Sequence, residues 1–142
     1  MEYRSLGRSG LKVSTVGLGC MNFGMMVDQS RTDAVVNKAF DLGVTLFDTA
    51  NIYGTSLSEQ YIGKAIKDIR DKLVIATKVS GPRGEGPNDK GVSRAHIMHE
   101  VENSLTRLQT DYIDLYQMHW WFADTPIEET LRALDDLVER FG

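Results

Sequence analysis

Four short runs along the chain are apolar on both faces: VSTVGLG (13–19), VTLFD (44–48), LVIATK (73–78) and YIDLYQMH (112–119). Rich in β-branched and aromatic residues, they read as buried parallel strands, which lack the strict alternation of a half-solvated sheet. Between them, apolar residues recur every three or four positions, as one face of a helix requires. The stripes are Val35, Ala39 and Leu42; Ile62, Ala65, Ile66 and Ile69; Ile97, Val101, Leu105 and Leu108. A further stripe of Ile127, Leu131, Leu134 and Val138 follows the last strand.

The helix starts carry signals of their own. SLSE (56–59) and TPIE (125–128) match a capping box, in which hydroxyl and carboxylate satisfy free backbone N–H groups, and Pro126 suits a first helical position. Ser93 is placed to cap the third helix. Ahead of the first strand, YRSLGRSGLKV has turn residues at Gly7 and Gly10 and predicts a small hairpin. GPRGEGPNDKG (81–91) is the longest irregular stretch and predicts a mobile loop.

The expected order is a hairpin and then four strand–helix units, in one domain over residues 1–142. Such units build either an open doubly wound sheet or a (β/α)8 barrel. A complete barrel takes about 250 residues. At 142 residues the α/β chain fits an open doubly wound sheet or part of a barrel, and LVERFG falls where the fourth helix would end and a fifth strand would begin, so the order reads as the first half of something larger. Its outer strands would have unpaired backbone groups, so self-association through exposed sheet edges is expected.

Charge narrows the partners. With 16 Lys and Arg against 20 Asp and Glu, the net charge is −4, which disfavours nucleic acid or an anionic membrane surface. No run approaches the roughly 18 apolar residues of a membrane span, and the N-terminus lacks an export signal, so a cytoplasmic location is expected. Cys20, the single cysteine, fits a reducing compartment and lies in an apolar stretch, where a buried structural thiol is expected.

Parallel strands place all their C-terminal ends on one rim, where α/β active sites are built. Asp48 ends the second strand, Tyr53 follows in its loop, Lys78 ends the third strand and His119 the fourth. Each has a bland reading: a turn carboxylate, a packing aromatic, a snorkelling lysine, a core histidine. Four such groups at one rim favour a shared task. A phenol is a poor acid at neutral pH unless a positive charge stands beside it. Lys78 supplies that charge, Asp48 keeps the lysine ionised, and Tyr53 becomes a general acid for a forming alkoxide. His119 would orient the carbonyl. Alkoxide formation from a carbonyl needs hydride, which side chains cannot deliver, so a nicotinamide cofactor is implied.

FDTANIYG (47–54) with SEQYIG, then VIATK, then DYIDLYQMHW, together with the opening YRSLGRSGLKVSTVGLGCMNFG, resemble the aldo-keto reductases. The likeness covers the whole chain and is nearest to the aryl-alcohol-dehydrogenase-like branch, which is also similar to potassium-channel β subunits. It implies a (β/α)8 TIM barrel, of which this chain would be the first half, that reduces aldehydes and ketones with NADPH. By motif it makes Asp48, Tyr53, Lys78 and His119 the catalytic set, with tyrosine as proton donor. It puts Met21 and Asp48 beside the cofactor, and Ile52, Trp120 and Trp121 at the mouth for a small-molecule carbonyl substrate. It also implies that most dinucleotide contacts come from a second half. A truncated chain with little activity alone, a pair of half barrels, and a non-catalytic nucleotide-sensing or channel-β-like module all remain open.

Other signals point elsewhere. GLGCMNFG (17–24) has its third glycine too late for a Rossmann fingerprint, and in GPNDKG (86–91) Val92 stands where a phosphate loop needs lysine. His96 and His99 share a helix face with no cysteine cluster near, so no metal is expected.

Overall fold

The computed structural model describes residues 1–141. Strands β1 (Tyr3–Ser5) and β2 (Lys12–Ser14) form the expected antiparallel hairpin, turned at Gly7 with φ 57°. Four parallel strands follow: β3 (Gly17–Gly19), β4 (Leu46–Asp48), β5 (Val74–Val79) and β6 (Leu115–Met118). Each precedes one helix: α1 (Gln29–Asp41), α2 (Leu57–Ala65), α3 (Arg94–Leu108) and α4 (Ile127–Phe141). The strands are neighbours in chain order, without the reversal that marks a doubly wound sheet. This is the wall of the first half of a (β/α)8 barrel.

The run at 13–19 divides rather than forming one strand. Ser14 makes the break: its hydroxyl donates to Val16 O (2.6 Å) and accepts from Thr45 N–H (2.9 Å), so Val13 and Ser14 stay in the hairpin and β3 starts afresh at Gly17.

Two helices turn a different face inward from the one their stripes suggest. In α1 the buried residues are Thr32 and Val36, while Val35 and Leu42 are exposed. Thr32 tolerates burial because its hydroxyl donates to Asp28 O at 2.8 Å. In α4 the buried residues are Thr130, Ala133 and Leu137, and Ile127, Leu131 and Val138 face outward. Ion pairs to α3, Arg140 with Glu102 (2.6 Å) and Arg94 with Asp136, set that rotation, as does the Thr130 hydroxyl donating to Val92 O (2.8 Å). Ile97, Val101, Leu105 and Leu108 of α3 are all buried, and the Ser93 hydroxyl caps the helix by accepting from His96 N–H.

The capping box at 56–59 does not form. Ser56 adopts φ 74° and its hydroxyl donates to Asn51 O (2.7 Å), while Glu59 turns into the interior. Nor does Thr125 cap α4: its hydroxyl faces Asp124 Oδ1 at 3.5 Å.

Among the described residues, the helices pack on one face of the sheet. Phe47, Ile62, Ile66, Ile75 and Leu108 form one core cluster, and Val79, Ile97, Val101, Ala133 and Leu137 another. Helices α2 and α3 approach closely at Gly63, where a Cβ would fall 2.6 Å from the Leu108 carbonyl. Since Phe47, Ile75 and Val79 face the helices, alternation sends Asp48 and Lys78 to the opposite face. Among the described residues, no helix is long and apolar enough to cross a membrane.

Candidate active site

Strand register sets the site. Asp48 lies opposite Ala76, so Lys78 stands two residues further along the same face, toward the C-terminal rim. The Asp48 side chain spans that gap. Lys78 Nζ donates to Asp48 Oδ1 (2.8 Å), Asp48 Oδ2 (2.7 Å) and Thr49 O (2.8 Å). All three ammonium protons are thus committed, so the strand-end lysine is fully paired rather than snorkelling.

Tyr53 follows in the turn after β4, with the Lys78 ammonium 5.2 Å from its ring centroid. His119 comes one residue past β6, its backbone N–H donating to Val79 O (2.8 Å). Its ring meets Tyr53 edge-on, at 5.6 Å and 83°, and stacks on Trp120 at 4.4 Å and 8°. The expected four residues therefore converge on one rim. Ile52 and Trp120 also come together, on either side of Gly81: a Cβ there would overlap Ile52 and stand 3.1 Å from Trp120. Met21 and Trp121 stand open, 53% and 66% exposed.

Electrostatics make His119 a neutral partner. Burial, and then the Lys78 charge, hold its pKa below 6.5, with Asp48 opposing. Burial likewise lowers His96, against Glu100 and the backbone of the 81–91 loop. Both groups take up protons in the unfolded chain before they do so in the folded one. Their stability contribution is therefore complete above 6.5 and is lost as pH falls from there through their lower folded values. The urea midpoint should drop between about pH 7.5 and about 5.5, and His96→Gln should reduce the drop.

Cys20 is fully buried, and its pKa is pushed up to about 12 by burial and the nearby Asp48 carboxylate. It is a packing thiol. Its backbone N–H donates to Asp48 O (2.9 Å), which ties β3 to the site.

Several polar residues around the site are not evident from its motifs. The Thr49 hydroxyl meets the Ser58 hydroxyl at 2.8 Å, and Ser58 also donates to Cys20 O. Glu59 accepts from the Thr77 hydroxyl (2.6 Å) and from Arg107 Nε (2.6 Å). A carboxylate on the core face of α2, in step with Ile62 and Ile66, is the sequence signal for this network.

The chain is thus half of a TIM-barrel wall whose C-terminal rim carries an ion-paired lysine, a tyrosine and a histidine of lowered pKa. The chain belongs to the Aldo/keto reductase family, whose model matches residues 15–140. It is 41% identical to a probable voltage-gated potassium channel subunit beta of Arabidopsis thaliana, over 99% of this chain and 44% of that protein. With the aldo-keto reductase YhdN of Bacillus subtilis it shares 42% identity, over 98% of this chain and 44% of the other. A solved aldo-keto reductase from Bacillus halodurans, in its holo form, superposes with a TM-score of 0.91 at 40% identity, covering 99% of this chain and 47% of that one. The chain spans about half the length of the relatives it matches.

Proposed function

We propose that this rim reduces aldehydes and ketones to alcohols with NADPH, Tyr53 acting as the proton donor. The observation that supports it most is the Asp48–Lys78–Tyr53–His119 cluster, with its three ammonium hydrogen bonds and its neutral imidazole. The residues present suit a nicotinamide and a carbonyl. Buried Gln117 Oε1 and His119 Nδ1 have no protein partner, and Gln117 is in register with Lys78. Met21 and Asp48 would flank the nicotinamide, which when bound supplies the hydride. Ile52, Trp120 and Trp121 would hold the substrate.

His119 donates an N–H to the carbonyl oxygen and orients it. As the carbonyl π pair moves onto oxygen, Tyr53 gives up its phenolic proton, forming the new O–H bond. The phenolate left behind faces the Lys78 ammonium, which Asp48 holds in place, and takes its proton back from solvent. The product is an alcohol.

A panel of aromatic aldehydes tests this in the intact protein. NADPH absorbance should fall only when aldehyde is present; a panel with no aldehyde-dependent consumption contradicts the reading. The likeness to potassium channel β subunits favours a second reading, a nucleotide-sensing module without turnover. In that case NADPH binds and is not consumed. Among the described residues, β3 and β6 pair on one side only, and we propose that their edges self-associate or pair with further chain. A reducing, cytoplasmic setting belongs to the same proposal.

A further inference from the structure

Tyr53 sits at the head of an unusual turn. Gly54, Thr55 and Ser56 all take left-handed backbone angles, with φ of 58°, 55° and 74°. For residues with a Cβ this conformation costs roughly 1–2 kcal/mol each, so the turn persists only where its surroundings hold it. The hold runs through Asn51, which is fully buried. The Ser56 hydroxyl donates to Asn51 O (2.7 Å), Asn51 N–H donates to Lys78 O (3.0 Å), and Asn51 Nδ2 donates to Glu100 Oε2 (2.8 Å).

Glu100 is 2% exposed, in the second turn of α3. Its Oε1 accepts from Asn103 (2.8 Å), and its Oε2 faces Arg107 at 3.4 Å and Arg83 at 3.8 Å. Arg107 is shared with the buried Glu59, so two carboxylates face one guanidinium. The second cation is Arg83, and it comes from the 81–91 loop. That loop is folded on itself by Asp89, which accepts from Gly86 N–H (2.8 Å) and from Arg83 N–H (2.8 Å). Burial alone would raise the Glu100 pKa, but hydrogen bonds from Asn103 and Asn51, with the charges of Arg107 and Arg83, keep it below its ordinary value. The carboxylate is therefore an acceptor at neutral pH, never a competing donor.

We propose that Glu100 is a positioning residue for Tyr53: through Asn51 it holds the left-handed turn against Lys78, and Arg83 docks the 81–91 loop on the same carboxylate. Its effect on rate rests on the reductase reading. Its hold on the turn does not.

Amide hydrogen exchange and steady-state kinetics of the intact protein test it together. In Glu100→Ala, exchange at residues 51–56 should quicken by about tenfold or more, while residues 101–108 of α3 keep their protection. In the same variant kcat should fall about 10–100-fold with KM for the aldehyde within about twofold, because misplacing a reacting group slows the chemical step more than it weakens binding. Glu100→Gln keeps an acceptor for Asn51 and should restore most of the turn's protection. Should Glu100→Ala not fold, Asn51→Ala carries the test, since it removes one donor and no charge. Unchanged exchange at residues 51–56 in the folded variants overturns the proposal, as does an unchanged kcat where the wild type turns over. A wild type without turnover counts against the reductase reading alone, and exchange then decides whether Glu100 holds the turn.

Discussion

Tyr53→Phe is expected to remove nearly all carbonyl reduction while leaving fold and cofactor binding intact. Only the hydroxyl is lost. The ring that meets His119 edge-on and lies under the Lys78 ammonium stays in place, so the substitution separates proton donation from packing. A positioned general acid contributes about 10²–10⁴-fold, and kcat should fall by that order. No neighbour can substitute. Lys78 has committed its three protons to Asp48 and Thr49, and His119 is held neutral by burial and by Lys78. A Tyr53→Phe protein with wild-type turnover would remove tyrosine from the mechanism.

The largest expected loss of stability comes from Arg107→Leu. Arg107 Nε is 2.6 Å from Glu59 Oε2, and its other arm faces Glu100 Oε2 and donates to Ser104 Oγ at 3.1 Å. Glu59 is 0% exposed. Without the guanidinium, two buried carboxylates confront each other, and removing one partner from a buried ion pair costs about 3–5 kcal/mol. Against a total of about 5–15 kcal/mol for a typical domain, that is a large fraction. Glu100, held below its ordinary value of 4.5, contributes stability that is complete above that value and lost as pH falls through its lower folded value. Urea unfolding near neutral pH is therefore the right comparison. Arg107→Lys should cost less, because it keeps the charge and loses the fork. A loss below about 1 kcal/mol for Arg107→Leu would show that the network contributes little.

Much of the fold is legible because buried parallel strands and helical stripes leave strong patterns. The stripe of α3 is the clearest case: all four of its apolar residues are buried. Patterns fail where two apolar faces compete. In α4, the outward stripe of Ile127, Leu131 and Val138 is as regular as the buried one, and contacts distant in sequence select the face: the packing of Ala133 and Leu137 in the core, the Thr130 hydroxyl on Val92 O and the ion pairs to α3. Adjacent Val35 and Val36 in α1 pose the same ambiguity, resolved by a threonine whose hydroxyl is satisfied locally.

The four rim residues are legible because parallel topology alone brings strand ends together. Their support is harder to read. SLSE is a sound capping box locally, yet Glu59 has a better-buried partner in Arg107, distant in sequence, and Ser56 is drawn into the left-handed turn. Long-range polar contacts of this kind have no period. The one sign they leave is a charged residue in step with apolar ones, as Glu100 is with Ile97 and Val101.

The most direct measurement follows a labelled hydrogen. NADPH carrying deuterium at the transferred position of its nicotinamide is mixed with the intact protein and an aromatic aldehyde, and the alcohol is analysed by mass spectrometry. Direct hydride transfer with proton donation from Tyr53 predicts one deuterium on the carbinol carbon from the wild type, and alcohol formed at least about a hundredfold more slowly by Tyr53→Phe. Alcohol formed without deuterium, or no alcohol from the wild type with any aldehyde tried, would contradict it.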